Sequence, residues 1–392
     1  MSLKDEAAVV GVAVARAEGA DAQLAMPDLA IVAANAALAD AGLERADVQG
    51  FCSPSGVCDH GALASQMGVP EVSFSATLTS GSGGGAGALA LAAAAISGGF
   101  ADVVVTLSRY ESAPRSGGTG PNALLRPPPG AAASAYGLSG GPGPDGALSA
   151  PAALRSYGAA AALTANAYLH RYGISREHVG RWVVQARANA GEKLSLDDYL
   201  AAPLVIDPFS ELDAAPGIAT SYVVAVVTAN VERARDLDQP LVVIAGAATG
   251  GSPINGAPWQ GPAELVASSG HRDVAADVYG MAGASASDID VALLADDFSP
   301  WVLMQLEDYG FCGVGEGGTF VADLRAVVGG TVAVNTHGGN ITDAFARGVT
   351  HIDEAVRQLR GTATNQVPDA STALVTGDPG TMPLSAVIMR RA

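Results

Sequence analysis

The 392-residue chain carries 39 acidic against 21 basic residues, a formal net charge of −18. That excludes nucleic acid as a general partner, because phosphate binding needs clustered Lys and Arg. Apolar residues make up 49% and charged residues 15%, which excludes a disordered chain. Cys52, Cys58 and Cys312 are too few for a disulfide framework, and the start MSLKDE lacks the basic character of a secretory leader. A soluble, cytoplasmic protein is expected.

In chain order, Ala8 to Ala15 reads as a first strand. Leu29 to Ala41 is apolar at helical spacing and ends at Gly42, and Asp47 to Cys52 is a short strand. The stretch from Ser73 to Leu107 changes period sharply: a β-type run, a glycine turn over Gly81 to Gly87, an Ala/Leu helix from Ala86 to Ile96, Gly98-Gly99, then VVVTL. A helix with no polar face belongs in the middle of a large molecule. It is too short to span a bilayer, where roughly 20 residues are needed. Its start, at Ser80 to Gly85, is where a ligand site would open.

Ser112 to Ala150, dense in Gly, Pro and Ser, is read as an excursion over the surface. Helical spacing returns from Arg155 to Arg171, and Ser175 caps a second helix reaching about Asn189. A turn follows at Leu196 to Leu200, and Val223 to Ala229 and Pro240 to Gly250 are apolar strands. The chain then repeats itself. Val274 to Met281 followed by GASASDIDVALL matches the earlier helix followed by GLERADVQGF. TVAVNTHGGNITDAFARGVTHIDEAVRQLRG then has the order strand, Gly pair, long helix, Gly, and leads into ALVTG as the first copy leads into VVVTL. Two similar α/β halves follow, each with a glycine-opened inner helix.

Several groups could carry chemistry. Gly81 to Ala86 formally satisfies G-x-G-x-x-A, but the acid that should bind ribose is missing from the end of the second strand, so a nicotinamide site is not expected. Ser80, at the start of the inner helix, is placed either for nucleophilic attack or for capping. Cys52, Cys58, Asp59 and His60 lie close in sequence without zinc-ligand spacing. His60 reads as a lone polar group on a loop, or as a satisfied surface histidine. His337, beside Gly338-Gly339 and ahead of a helix, is the histidine best placed to line a site; His170, His178, His271 and His351 read as exposed. Asp296 and Asp297 end an apolar strand, where carboxylates are often functional, although one of them could cap the following helix.

The doubled halves, together with LADDFSPWVLMQLEDYGFCGVGEGG and VNTHGGNITDAFARGVTHIDEAVRQLRGTATNQVP, resemble the thiolase superfamily. More narrowly, they resemble its nonspecific lipid-transfer or sterol-carrier-protein-type branch of actinobacteria. The resemblance implies a thiolase fold: two βαβαβαββ halves in a five-layered α-β-α-β-α arrangement. The first half would span residues 1–245, with a loop domain inserted at about 113–203, and the second residues 246–392. It also implies a homodimer, with a coenzyme A thioester as substrate and no tightly bound cofactor.

A working thiolase uses a nucleophilic Cys, an N-E-A-F Asn, a G-H-P His and a second Cys. Matched to this chain, those places hold Ser80, Ala295, Phe345 and Val375 or Thr376. Ordinary thiolase activity is therefore not expected. Members of the branch that act as retro-aldol lyases on steroid acyl-CoA, with a small OB-fold partner, carry tyrosines where Ala295 and Phe345 stand. A lyase or acyltransferase here would draw on Asp296, Asp297, His337 and His60 around Gly338 and Gly339. The alternative is a non-catalytic acyl-CoA-binding, scaffolding or lipid-transfer subunit.

Overall fold

The computed structural model describes residues 3–54, 59–78, 84–110, 157–216, 218, 220–251, 267–343, 348–377, 379 and 383–392. Ser80, Phe345, Cys58 and the Ser112 to Ala150 excursion lie outside the described residues. The strands are β1 (Ala7–Arg16), β2 (Gly50–Ser53), β3 (Phe74–Thr77), β4 (Val103–Tyr110), β5 (Leu204–Ile206), β6 (Phe209–Ser210), β7 (Tyr222–Asn230), β8 (Val242–Gly250), β9 (Val291–Leu293), β10 (Ala333–Val334), β11 (Thr372–Gly377) and β12 (Leu384–Arg391).

Apart from the β5-β6 hairpin, they form one sheet of order β10-β9-β11-β12-β8-β1-β7-β4-β2-β3. Each run of five, numbered within itself and read from its outer edge, has the order 3-2-4-5-1. The directions agree as well: β2 runs parallel to β3 and β4, β9 parallel to β10 and β11, and the inner pairings are antiparallel. Only Ala8↔Val243 and Val9↔Val242 join the two runs, through β1 and β8. The repeat expected from sequence is thus a repeat of topology.

Three apolar clusters sort the layers. In the middle one, the helices Gly84–Ser97 and Val349–Arg360 bring Leu89, Ala92, Ile352 and Val356 against Val104 and Val226 of one run and Val375 and Val387 of the other. The outer clusters bury helix Met26–Ala41 on the first run, and helices Arg272–Ala282 and Ser299–Asp308 on the second. This is the five-layered arrangement, with the inner helices covered from both sides. Helix Gly84–Ser97 begins before the expected Ala86, because Gly84, Gly85 and Gly87 are buried within its first turn. Burial there outweighs glycine's roughly 1 kcal/mol helix penalty.

The duplication reaches individual contacts. Gly42 and Gly283 end the two equivalent outer helices in left-handed conformation, at φ +70° and +64°. Reciprocal caps then follow, Glu44 with Asp47 and Ser285 with Asp288. In the strand beneath each helix a glycine allows close approach. A Cβ on Gly11 would lie 2.1 Å from the Ala37 carbonyl oxygen, and one on Gly246 would lie 2.8 Å from that of Val278. Backbone cannot yield as a side-chain tip can, so Gly11→Ala is expected to cost about 3 kcal/mol, and Gly246→Ala less. Urea unfolding midpoints at constant slope check the order.

Helices Tyr157–Tyr172, Arg176–Asn189 and Leu196–Ala201 follow β4, and the second of them packs against Ser299–Asp308 and Gly317–Ala322 of the second half. Ser175 caps its start as expected, and His178 returns the contact to complete a reciprocal cap. The NTHGG segment departs from expectation. No long helix starts at Gly338-Gly339; the chain turns through Asn335 at φ +42° and the two glycines at +105° and +78°, and the helix begins only at Val349. Among the described residues, no helix is long and apolar enough to cross a membrane.

Candidate active site

β9 and β10 run parallel and deliver Leu294 to Asp297 and Asn335 to Asn340 from their carboxyl ends. Ligands of open α/β sheets gather at such ends. The Asn335 side chain ties the two together: its Oδ1 accepts from the Leu294 amide at 2.7 Å and its Nδ2 donates to the Leu294 carbonyl at 2.8 Å. Ala295, also buried, donates its amide to Thr376 Oγ1 at 2.9 Å, and its carbonyl accepts from Gln305 Nε2 at 2.7 Å.

Asp296 is fully buried and its carboxylate faces the glycine turn. It accepts from the Asn340 amide at 2.8 Å and the Ile341 amide at 3.4 Å, and lies 3.3 Å from His351 Nε2. Gly339 is needed for that approach, since a Cβ there would stand 2.0 Å from Asp296 Oδ2. At Gly338 a Cβ would meet Thr342 Oγ1 at 2.4 Å and Ala190 Cβ at 2.8 Å. Asp297, 1% exposed, accepts from Asn340 Nδ2 at 3.2 Å. Helix Ser299–Asp308 starts after Phe298, which holds the N-cap position and makes no side-chain cap.

His337 is half-buried, yet both of its ring nitrogens are out of contact with solvent and have no hydrogen-bond partner. Burial first, and then His351, hold its pKa well below the usual histidine value. The two rings meet edge to face, 5.0 Å between centroids at 84°. His351 is not exposed as its charged neighbours suggested; it is fully buried, with Nε2 3.1 Å from the Leu294 carbonyl. His351 Nδ1 and Asn340 Oδ1 are also buried without partners. Three of these unpartnered polar atoms belong to the NTHGG loop and the fourth to the His351 ring that packs on it, and each would ordinarily cost about 1–3 kcal/mol. Sequence reasoning passed over His351 and Asn340. The signal for His351 was present: with Glu354 and Gln358 it forms a buried polar stripe at i, i+3 and i+7 of an otherwise apolar inner helix face.

His60 belongs to the other half and is not a surface residue. It is 7% exposed, with Nε2 2.8 Å from Ser53 Oγ and Nδ1 2.9 Å from Ser75 Oγ. Asp59 caps the His60–Met67 helix by accepting from the Ala62 amide at 2.7 Å. No described hydrogen bond connects His60 to the Asp296 cluster. Cys52 and Cys312 are pushed up to about 12, chiefly by burial, so neither is a thiolate at neutral pH. Among the described residues no group of three or more His, Cys, Asp or Glu could hold a metal.

His271, expected exposed, is fully buried with Nδ1 2.9 Å from the Tyr309 hydroxyl, and burial lowers its pKa to about 3. The unfolded chain takes up a proton on this ring near pH 6.5 and the folded one does not, so stability is complete above 6.5 and falls as the pH drops toward 3. The expected loss is about 1.4 kcal/mol per pH unit once the unfolded ring is charged. Denaturant titrations between pH 7 and 4.5 should show it, with a flatter slope for His271→Asn.

Residues 260–390 match the thiolase C-terminal domain-like family. The chain is 32% identical over 386 residues to the steroid side-chain-cleaving aldolase of Thermomonospora curvata, covering 92% of each. It is 32% identical over 375 residues to the 17-hydroxy-3-oxo-4-pregnene-20-carboxyl-CoA lyase of Mycobacterium tuberculosis, covering 90% of this chain and 91% of that one. A solved structure of the Ltp2-ChsH2(DUF35) aldolase superposes with a TM-score of 0.84 at 29% identity, over 100% of this chain and 99% of that one. A monomeric SCP2-thiolase-like protein of Mycobacterium smegmatis shares the fold, with a TM-score of 0.70 at 18% identity. Strand order, layers and these likenesses define a thiolase fold. The chain belongs to the thiolase superfamily, in the sterol-carrier-type branch that includes the two aldolase and lyase relatives.

Proposed function

We propose that the chain is a retro-aldol lyase of β-hydroxy acyl-CoA thioesters carrying a steroid or similar polycyclic group. The observation that carries this is the end-to-end likeness to two proteins named for that chemistry. In the reaction a base takes the β-hydroxyl proton and the C–O bond becomes a carbonyl. The Cα–Cβ bond breaks, its electron pair forms the thioester enolate, and a proton then adds at the α-carbon.

In this reading His337 is the base. It is unprotonated at neutral pH, and neither ring nitrogen is taken by the protein. Asp297 orients Asn340 by accepting from its Nδ2, while Asp296 positions the loop rather than reacting, because its oxygens are already engaged. Gly338, Gly339 and Ala295 shape the pocket wall. His60 takes no part in this chemistry; its two serine contacts already satisfy the ring. The chain works in the cytoplasm as a homodimer beside a DUF35 partner, the kind of protein in the matched aldolase.

The test is incubation of the chain, with and without a DUF35 partner, with 17-hydroxy-3-oxo-4-pregnene-20-carboxyl-CoA. Mass spectrometry should detect propionyl-CoA and the 17-ketone. An unchanged thioester under conditions where the M. tuberculosis lyase named for it turns over would refute the lyase reading. Thiolase-rate turnover of acetoacetyl-CoA with free CoA would refute it equally, since neither described cysteine is a thiolate.

A second reading, a non-catalytic acyl-CoA-binding subunit, is favoured by Ala295 and Phe345 at the places of the lyase tyrosines. It predicts thermal stabilisation by the thioester, about 2.7 kcal/mol at 100 times Kd, without product.

A further inference from the structure

The NTHGG loop is held on two sides. Asp296, just beyond the end of β9, binds it on one side; the other side is bound by the last turn of helix Arg176–Asn189, which lies between β4 and β5 in the chain, far from the loop in sequence. Asn189 Nδ2 donates to the Val334 carbonyl at 3.3 Å and the Asn335 carbonyl at 3.0 Å. Asn365 Nδ2 closes the arrangement, donating to the Asn189 carbonyl at 2.7 Å and the Thr336 carbonyl at 2.6 Å. Arg187 donates to the Ile341 carbonyl at 3.2 Å. Gly338 lies against the same turn, where a Cβ would sit 2.8 Å from Ala190 Cβ and 3.1 Å from the Ala186 carbonyl oxygen.

These carbonyls flank His337 on both sides, and the loop has little regular structure of its own: β10 is two residues long and three of the turn residues have positive φ. A segment without a ladder is fixed only by what its backbone groups bind. The ring nitrogens of His337 bind no group among the described residues, so apart from its edge-to-face contact with His351 the ring is placed by the loop that carries it. Asn365 is itself held, its carbonyl accepting from Gln358 Nε2 at 2.9 Å, so the clamp is anchored in the inner helix.

We infer that Asn189, with Asn365, is a positioning residue: it clamps the loop bearing His337 to the helix inserted after β4, and through it that helix sets the place of the His337 ring. The inference rests on the reading of His337 as the base for its catalytic consequence, but not for the clamp itself. Asn189→Asp keeps the acceptor to Gln185 Nε2, which lies 2.8 Å from Asn189 Oδ1, and removes the two donors. Asn365→Ala removes the other two.

Hydrogen exchange read by mass spectrometry should show peptides over 335–341 exchanging about tenfold faster in either variant, with β4 and β7 unchanged. On the thioester named above, kcat should fall about tenfold or more while KM stays within about twofold, as expected when a reacting group is misplaced but binding remains. Unchanged exchange over 335–341 overturns the clamp, and so does a uniform rise across the chain, which marks ordinary destabilisation. Faster loop exchange with unchanged kcat overturns the positioning role. Should the wild-type chain cleave no thioester, the lyase reading fails while the exchange result still decides the clamp.

Discussion

His337→Leu is expected to abolish lyase turnover while leaving the protein as stable as before, or slightly more so. A general base contributes typically 10²–10⁴-fold, so kcat should fall by about that factor. A structural histidine would behave oppositely: its loss would strand a partner and cost about 1–3 kcal/mol. Among the described residues no partner would be stranded, since both ring nitrogens are unbonded. Replacing them with methyl groups of similar volume removes two unsatisfied polar atoms, and loss of function with retained stability is the signature of a group kept for chemistry. The pH profile gives a second check. Burial and His351 lower the His337 pKa, so the ring loses its basic form only well below 6.5, and the acid limb of kcat should lie there, not at the usual histidine value. Turnover of the Leu variant within twofold of wild type would remove His337 from the mechanism.

Gly339→Ala is expected to be among the most destabilising single-methyl changes in the molecule. The residue sits at φ +78°, where an L side chain costs about 1–2 kcal/mol, and the new Cβ would lie 2.0 Å from Asp296 Oδ2. Asp296 cannot swing away cheaply, because leaving the Asn340 and Ile341 amides and His351 would strand a fully buried carboxylate. Breaking such an arrangement costs about 3–5 kcal/mol, against a total stability of about 5–15 kcal/mol. Gly338→Ala should be milder although its φ is +105°, since its nearest obstacle, Thr342 Oγ1, is the end of a side chain. Chemical denaturation of the two variants side by side gives the comparison; equal midpoints would show that Asp296 is free to move.

Much of the fold was legible because repetition is a strong signal. The pairing of GLERADVQGF with GASASDIDV predicted equivalent turns, and the structure has equivalent left-handed glycines and reciprocal caps there. The inner helix was legible for the same reason that it is buried: it has no polar residue to turn outward. The site was legible only in part. Asp296, Asp297 and His337 are read from strand ends and glycines; in the structure the two acids, from the loop after β9, accept from Asn340 on the loop after β10 that carries His337. His351 and His271 were misplaced because charged neighbours in sequence say little about a helix whose opposite faces meet different layers. The helix expected after Gly338-Gly339 does not start there: Asp296 holds the amides of Asn340 and Ile341 in the turn, and the helix begins only at Val349.

The apolar Gly84–Ser97 helix also bears on how the chain is made. Its cover comes from β4 and β7 on one side and from β11 and β12 on the other, and those last strands begin only at Thr372. At about 5–20 residues per second, synthesis leaves this Ala/Leu surface half-dressed for roughly ten to sixty seconds after it emerges. During that interval the exposed apolar surface favours association with neighbouring chains, and a fragment ending before Thr372 would keep it uncovered.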